Sequence, residues 1–398
     1  MRAGKLLHTL LDKACKSIDK RIIKTLFAAS ETVIFCKELS IAGLGRSFPG
    51  QAKVKHKIKC MDRLFGNENL HRERKLIYAN IAKFLVRGNK TPIIIVDWSG
   101  LTPCGAYHFL SASLAVNGRS ITLYEESYPL KKYTGQKTHR EFLKTLKEML
   151  PNDCTPIIIT DAGFRNTWFN MVIKMKWDFI GRVRNNTQYT DQVIKKWIPI
   201  KKLYEKATLN ACYIGHFVLS KSSPLFCHFY LMKQKKKYRT KKNLVGKKVR
   251  CSSSKKHANA AKEPWLIVSS LSPENCSAIN IMLLYKKRMQ IEETFRDLKN
   301  TRNGLGLRHC RSFNVNRLNI ALLVAALAML ALWLFGIAAK QKNLHYSFQS
   351  NTEKRRNVLS NFVIGWQVLI QSEIQFSQKE LLDALALIIS SASWSEKC

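Results

Sequence analysis

Two short runs of β-branched residues stand out in the hydrophobic pattern, because each ends in an aspartate. TPIIIVD covers residues 91–97, and TPIIITD covers residues 155–161. A continuous apolar run of this length behind a proline is typical of a strand that is buried on both faces. We therefore predict two buried strands that end at Asp97 and Asp161, with both carboxylates at the same edge of a sheet.

The residues between these two runs predict a hairpin and a helix. FLSASLAV and SITLYEESY are predicted strands joined through Asn117, Gly118 and Arg119, because Asn-Gly favours a tight hairpin turn. Residues 137–150, KTHREFLKTLKEML, place their apolar side chains on one helical stripe, and Pro151 ends the helix. This order of elements predicts a mixed sheet with helices packed against it, and therefore an α/β fold.

The pattern outside this central region is largely helical. Residues 1–90 have apolar positions at helical spacing and the basic stretch KVKHKIKCMDRLFGNENLHRERK, which indicates either a helical DNA-binding domain or a solvated basic helix without a partner. CYIGHFVLS, LFCHFYLM and PWLIVSSL predict strands of an insertion, and residues 233–256 between them predict a basic loop. From Ile279 onward the chain is predicted to be helical again.

Residues 320–339, IALLVAALAMLALWLFGIAA, carry no charge and are long enough to span a bilayer. A helix sealed in the core of a large domain has the same composition. We favour the buried helix, because small residues fill the segment and neither a second span nor a targeting signal accompanies it.

The charge of the chain indicates a polyanionic partner. It has 67 Lys and Arg against 27 Asp and Glu, a net charge of +40. Such a charge attracts nucleic acid first and an anionic membrane second. The 11 cysteines are scattered without a C-x-x-C pair, which is typical of reduced thiols in a cytosolic protein. The lysine-rich N-terminus lacks the apolar core of a signal peptide.

The segment IMLLYKKRMQIEETFRDLKN is predicted to form one helix with a polar stripe. With Tyr285 at zero and about 100° per residue, Arg288 falls at about 300°, Glu292 at about 340° and Lys299 at about 320°. Glu293 falls at about 80°, away from the stripe. Glu292 is therefore the better candidate for a functional site.

Three carboxylates in a chain this poor in acid predict a site that cuts phosphodiesters. Two Mg²⁺ ions about 4 Å apart can activate a water and stabilise the departing oxygen, and Mg²⁺ takes few protein ligands, mostly carboxylates. Asp97, Asp161 and Glu292 supply such ligands. Taken singly, each has a plainer interpretation, in which the aspartates cap strands or turns and the glutamate pairs with a neighbouring arginine.

The same residues resemble a known family. YKKRMQIEETFRDLK matches the spacing Y-x2-R-x3-E-x6-K, the signature of the DDE transposases of the insertion-sequence-four family. The blocks KHKIK-CMDRL, VDWS, TDAGF, AKEPW, GLGLRH and NVLS resemble those of the insertion-sequence-ten transposases, in the same order and at similar spacing. The resemblance covers residues 30–365, approximately.

The resemblance implies a fold and a set of site residues. It implies a ribonuclease-H-like mixed-sheet catalytic core over residues 91–310 with a β-rich insertion at about 185–265. Asp97, Asp161 and Glu292 would be the catalytic, metal-binding residues. Tyr285, Arg288 and Lys299 would contact DNA phosphates. Trp265 would stack on a flipped base, against the alternative of a core tryptophan on a strand.

The resemblance also implies partners and a reaction. Residues 1–90 would bind DNA, and residues 311–398 would form a helical domain for dimerisation and DNA contacts. The protein would be a cut-and-paste transposase that uses Mg²⁺, with Mn²⁺ as a substitute. It would nick transposon ends, form hairpins and join the ends to target DNA as a homodimer on paired ends.

Two other classes of protein remain open at this point. One is a catalytically inactive, transposase-derived DNA-binding protein, which would keep the +40 charge. The other is a basic membrane-associated protein, for which residues 320–339 are the only support. We favour the enzyme, in the bacterial cytoplasm and associated with the nucleoid, without a membrane partner.

Overall fold

The computed structural model describes residues 3–11, 18–184, 186–191, 196–234, 263–353, 356–371 and 373–392. The chain divides into two compact units. The first unit contains Met1–Pro156 and Met289–Trp394, and the second contains Ile157–Arg288. Most of the predicted basic loop, residues 235–256, lies outside the described residues.

The described elements alternate between helices and strands, so the fold is mixed α/β. The helices are α1 (Ala3–Leu11), α2 (Lys20–Cys36), α3 (Ile41–Ser47), α4 (Val54–Phe65), α5 (Glu68–Leu85), α6 (Gln136–Met149), α7 (Asn166–Lys174), α8 (Ala278–Lys286), α9 (Met289–Lys299), α10 (Val315–Gln341), α11 (Asn361–Ile370) and α12 (Gln378–Ser391). The strands are β1 (Ile93–Gly100), β2 (Tyr107–Ala115), β3 (Ser120–Pro129), β4 (Ile157–Thr160), β5 (Asp178–Val183), β6 (Gln188–Thr190), β7 (Ile198–Pro199), β8 (Cys212–Leu219), β9 (Leu225–Met232) and β10 (Trp265–Ser269).

The first unit contains the predicted hairpin. β1, β2 and β3 pair antiparallel in the order β3-β2-β1. The turn between β2 and β3 contains Asn117 and Gly118, as the sequence predicts. The predicted end of the first strand is wrong, because β1 continues through Asp97 to Gly100. Pairing with β2 extends this far, with Gly100 opposite His108.

The long apolar helix α10 is buried within the first unit. It is long and apolar enough to cross a membrane, but 94% of its most apolar window lies inside the protein. The neighbouring helix α11 approaches it closely, since a Cβ atom at Gly365 would stand 1.9 Å from the Leu332 carbonyl oxygen. Asn319 near the start of α10 is also buried, and its side chain accepts from the Ser127 backbone N–H at 2.7 Å on the edge strand β3. This burial supports the core-helix interpretation of residues 320–339.

The second unit contains the predicted β-rich region. Its strands follow the order β4-β5-β10-β9-β8-β6-β7, with β4 and β5 parallel and the other neighbours antiparallel. The strands predicted from CYIGHFVLS, LFCHFYLM and PWLIVSSL are β8, β9 and β10. β4 ends at Thr160, so Asp161 follows a buried strand directly, as predicted.

The predicted continuous helix from Ile281 to Asn300 is wrong, because the chain forms two helices with a break at Lys287 and Arg288. The backbone N–H groups of these two residues bond three residues back, as in the tight last turn of a helix. Lys286 lies in the last turn of α8, and Glu292 lies in the first turn of α9. These charges favour a helix end and a new helix start, respectively.

Candidate active site

Asp97 lies in a row of polar residues that crosses the sheet of the first unit. In the strand register Asp97 is opposite Ser111, and Ser111 is opposite Glu125. Residues that are directly opposite each other on neighbouring strands point to the same face of a sheet. Asp97, Ser111 and Glu125 therefore share one face. Asp97 is partly exposed, and its Oδ1 accepts from the Trp98 backbone N–H at 2.8 Å.

Helix α9 packs on this sheet through contacts along its whole length. Near its start, Gln290 bonds both backbone groups of Val116, and its Oε1 accepts from the N–H at 3.1 Å. One turn later, the Thr294 hydroxyl donates to the Ser120 carbonyl at 3.0 Å. The Phe295 ring meets Phe109 edge to face, with centroids 5.2 Å apart. These contacts fix α9 on the sheet.

Lys299 at the end of α9 reaches the same face of the sheet. Its Nζ donates to the Ser99 hydroxyl at 2.5 Å and stands 5.5 Å from the Phe109 ring centroid. Burial and the positive charge of Arg308 together lower the pKa of Lys299 to about 8, against the opposing effect of Glu125 and Asp97. The lysine therefore lies within the electrostatic field of the candidate carboxylate Asp97.

Glu292 and Glu293 differ in their surroundings on α9. Glu293 pairs with Arg296 at 2.7 Å and with Arg119 at 3.6 Å, so its carboxylate belongs to a surface ion network. Glu292 is exposed and lies seven residues before Lys299, almost two full helical turns. It therefore lies on the side of α9 that Lys299 uses to reach β1. The helix break does not affect this comparison, because both residues lie within α9.

In the second unit, Asp161 is held in a tight turn between β4 and α7. Its Oδ1 accepts from the Gly163 backbone N–H at 2.8 Å. A Cβ atom at residue 163 would stand 2.9 Å from the same oxygen, so any residue larger than glycine would crowd the Asp161 carboxylate. The side chain of Asp161 is partly exposed. The TDAGF block thus fixes a strand-end carboxylate through its own backbone.

Four further residues of the second unit surround the Tyr285 side chain. Burial raises the pKa of Tyr285, a hydrogen bond from Arg288 and the charge of Arg182 oppose this, and Asp161 adds to it. The Trp265 ring meets the Tyr285 ring edge to face at 5.1 Å. Only 4% of Tyr285 is exposed. The predicted residues Asp161, Trp265, Tyr285 and Arg288 therefore form one cluster within the second unit.

The chemistry of these donors fits a hard divalent cation. Among the described residues, no group of three or more His, Cys, Asp or Glu side chains is close enough to hold a metal ion. Mg²⁺ binds through one or two carboxylates and leaves its other positions to water and substrate phosphates. Asp97, Asp161 and Glu292 are all partly or fully exposed carboxylates, so they can act as such ligands.

Two residues of these clusters were missed by the sequence analysis. Glu125 is one of two adjacent glutamates in a predicted strand, and only the register shows that it lies in the row with Asp97. Arg182 lies in β5, the strand after Asp161, and is largely buried. Strands usually alternate inward and outward residues, so an arginine within the apolar run FIGRV was the available signal.

Comparison with known protein families gives one finding. A family model described as the transposase DDE domain matches residues 88–329. No curated protein matches the chain. The match includes all seven predicted site residues and covers more than half of the chain. A domain of this kind has a ribonuclease-H-like core, which confirms the predicted fold class.

Proposed function

Because the chain belongs to the DDE transposase family, we propose that it cuts DNA at transposon ends, with Asp97, Asp161 and Glu292 as its catalytic carboxylates. Membership of the family supports transposase function and the use of divalent metal ions. The packing of α9 across β1, β2 and β3 is the observation that best supports the residue assignment. It places the helix that carries Glu292 on the sheet that carries Asp97.

The proposed metal is Mg²⁺, with Mn²⁺ as a substitute. When bound, two such ions would activate a water and stabilise the departing oxygen. The chain itself holds each carboxylate in place. Backbone N–H groups fix Asp97 and Asp161, and the contacts of Gln290 and Thr294 fix the helix that carries Glu292.

The proposed DNA contacts come from Lys299, Arg288, Tyr285 and Trp265. Lys299 and Arg288 carry charge that attracts phosphates. Tyr285 is so buried that no more than the edge of its ring can contact DNA. Its hydrogen bond with Arg288 supports a role in orienting that arginine. Trp265 is partly exposed at the start of β10 and can stack on a base.

The assignment to one particular group of DDE transposases is also a proposal. The YKKRMQIEETFRDLK signature and the ordered blocks support membership of the insertion-sequence-four family, close to the insertion-sequence-ten transposases. Cut-and-paste transposition through a hairpin, a homodimer on paired ends and a bacterial, nucleoid-associated location follow from that placement. We propose residues 1–90 as the DNA-binding domain, 91–310 as the core and 311–398 as the dimerisation domain.

The alternatives are less well supported. An inactive DNA-binding relative has no observation in its favour, because the three carboxylates and the signature are intact. A membrane-associated protein rested on residues 320–339, which lie inside the helix α10 and are almost entirely buried.

The test separates DNA binding from cutting. A duplex that carries the inverted repeat flanking the coding sequence is incubated with wild type, Asp97→Ala, Asp161→Ala and Glu292→Ala, with and without Mg²⁺. We expect wild type to nick at the repeat in Mg²⁺. Each variant should bind the duplex with near-native affinity and lose nicking by at least about a thousandfold. Absence of nicking by wild type would contradict the proposal.

A further inference from the structure

Glu125 is a buried carboxylate that the proposed reaction does not yet use. It lies on β3 with only 2% of its surface exposed. The hydroxyl groups of Ser111 and Thr122 donate to its side chain. Burial raises the pKa of Glu125 to about 7, and these hydrogen bonds and the charge of Lys299 oppose the rise. A buried acid of this kind is costly unless it is hydrogen-bonded and compensated.

Lys299 is the cation that compensates Glu125. Each side chain has a favourable electrostatic interaction with the other. Ser99, which accepts the hydrogen bond from Lys299, lies two residues after Asp97 and therefore on the same face as the row of Asp97, Ser111 and Glu125. The Lys299 ammonium thus lies on this face beside the row, where both Glu125 and Asp97 attract it.

The neighbouring residue Glu126 shows what a carboxylate with a purely structural role looks like here. Its Oε1 bonds directly with Arg74 and accepts from the Asn319 side chain at 3.0 Å. Its Oε2 accepts from the Tyr124 hydroxyl at 2.5 Å. These contacts join α5 and α10 to the edge of the sheet. Glu125 makes its hydrogen bonds within the sheet and directs its charge to Lys299.

We propose that Glu125 is a positioning residue, whose buried carboxylate holds the Lys299 ammonium beside Ser99 and Asp97 so that it meets a substrate phosphate at a fixed place. The inference rests on the proposed function, in which Lys299 contacts DNA. Long lysine side chains lose much rotamer freedom when they are fixed. A charge that fixes the lysine before DNA arrives therefore favours the reactive arrangement more than simple binding.

The test is a double-mutant cycle on single-turnover nicking in Mg²⁺, using the duplex with the flanking inverted repeat. The variants are Glu125→Gln, Lys299→Gln and the double variant. We expect Glu125→Gln to lower the rate at saturating protein about tenfold, while the concentration for half-saturation changes less than about twofold. The double variant should be no slower than Lys299→Gln alone, because Glu125 acts through the lysine.

Two further variants serve as a control and as an alternative in this test. Glu353→Gln removes a carboxylate from an exposed ion pair with Arg356 and should nick at the wild-type rate. Ser111→Ala removes one hydrogen bond to Glu125 and serves if Glu125→Gln does not fold. It should lower the rate less than about tenfold in the wild-type background and not at all in the Lys299→Gln background.

The outcomes separate this inference from the proposed function. Two results would overturn the positioning role alone. One is that Glu125→Gln nicks at the wild-type rate. The other is that the rate losses of the two single variants multiply in the double variant. A wild type that binds the duplex but never nicks it would overturn the proposed function, and the positioning role with it.

Discussion

The two units contribute candidate site residues that are held in different ways. In the first unit, Asp97 and Glu292 come from segments almost two hundred residues apart, and tertiary contacts between α9 and the sheet place them. In the second unit, Asp161 is fixed by a turn of its own chain, through the N–H of Gly163 at 2.8 Å. Asp161 interacts electrostatically with Tyr285, which the Trp265 ring and Arg288 also contact.

This difference suggests a division of work. Buried charges and a packed helix make the first unit suited to holding groups at fixed positions, since preorganised charge is most effective away from water. The partly exposed ring of Trp265 and the charge of Arg288 make the second unit suited to binding DNA. Changes in the first unit should therefore affect chemistry most. Apart from Asp161, whose loss should abolish nicking, changes in the second unit should affect the handling of DNA.

The sharpest test of this comparison lies on α9, where adjacent glutamates have different surroundings. Glu292→Gln should lower nicking by more than about a thousandfold, because it removes a proposed metal ligand. Glu293→Gln should change nicking less than about threefold, because Glu293 only joins a surface ion network. Single-turnover nicking of the same duplex measures both effects.

The matched pair also controls for folding. Both substitutions remove one negative charge near the start of the same helix, Glu292 in its first turn and Glu293 directly after it, so their effects on helix stability should be similar. If Glu293→Gln lost as much activity as Glu292→Gln while both proteins stayed folded, the choice of Glu292 would be wrong.

The second prediction tests how tightly the first unit encloses its charges. Burial raises the pKa of Glu125 to about 7, whereas an unfolded chain has a glutamate pKa of about 4.3. Between these values the folded protein binds the extra proton, so a rise in pH through this window destabilises the fold. Glu125 should therefore lower the free energy of unfolding by up to about 3 kcal/mol between pH 4.5 and pH 7.5, approximately.

Urea unfolding of wild type and Glu125→Gln across this pH range measures the effect. The stability of wild type relative to the variant should fall as the pH rises. Glu353→Gln controls for the loss of one carboxylate. A difference between wild type and Glu125→Gln that stays constant with pH would show that Glu125 is not enclosed as described.

Local patterns in the sequence predicted most of the strands and helices correctly. The hairpin at Asn117 and Gly118, the helix α6 and the end of β4 before Asp161 each depend on a few neighbouring residues. Their turn residues and apolar spacing carry the needed information. The long apolar segment was also correctly favoured as a core helix.

Features that depend on distant segments were not predictable in the same way. The break at Arg288 interrupts a helical pattern that is continuous in sequence, so the angle calculated between Tyr285 and Glu292 does not apply. The row that contains Glu125 depends on the register of three strands and on an irregularity at Ala112 and Ser113. One residue of slip would move Glu125 to the other face.

The smallest predicted effect concerns Trp265 and the handling of DNA by the second unit. Trp265→Ala should nick the repeat at near the wild-type rate but form hairpins about tenfold less often, because stacking of one base on an aromatic ring is lost. Trp265→Phe should keep most of the hairpin product.

Trp366→Ala, which removes a tryptophan bonded to the Ile34 carbonyl at 3.0 Å, should lower stability without changing the ratio of hairpin to nick. Denaturing gels of end-labelled duplex resolve both products. An equal loss of nicking and hairpin formation in Trp265→Ala would indicate that the ring packs against Tyr285 as part of the core, and the division of work between the units would then not extend to this residue.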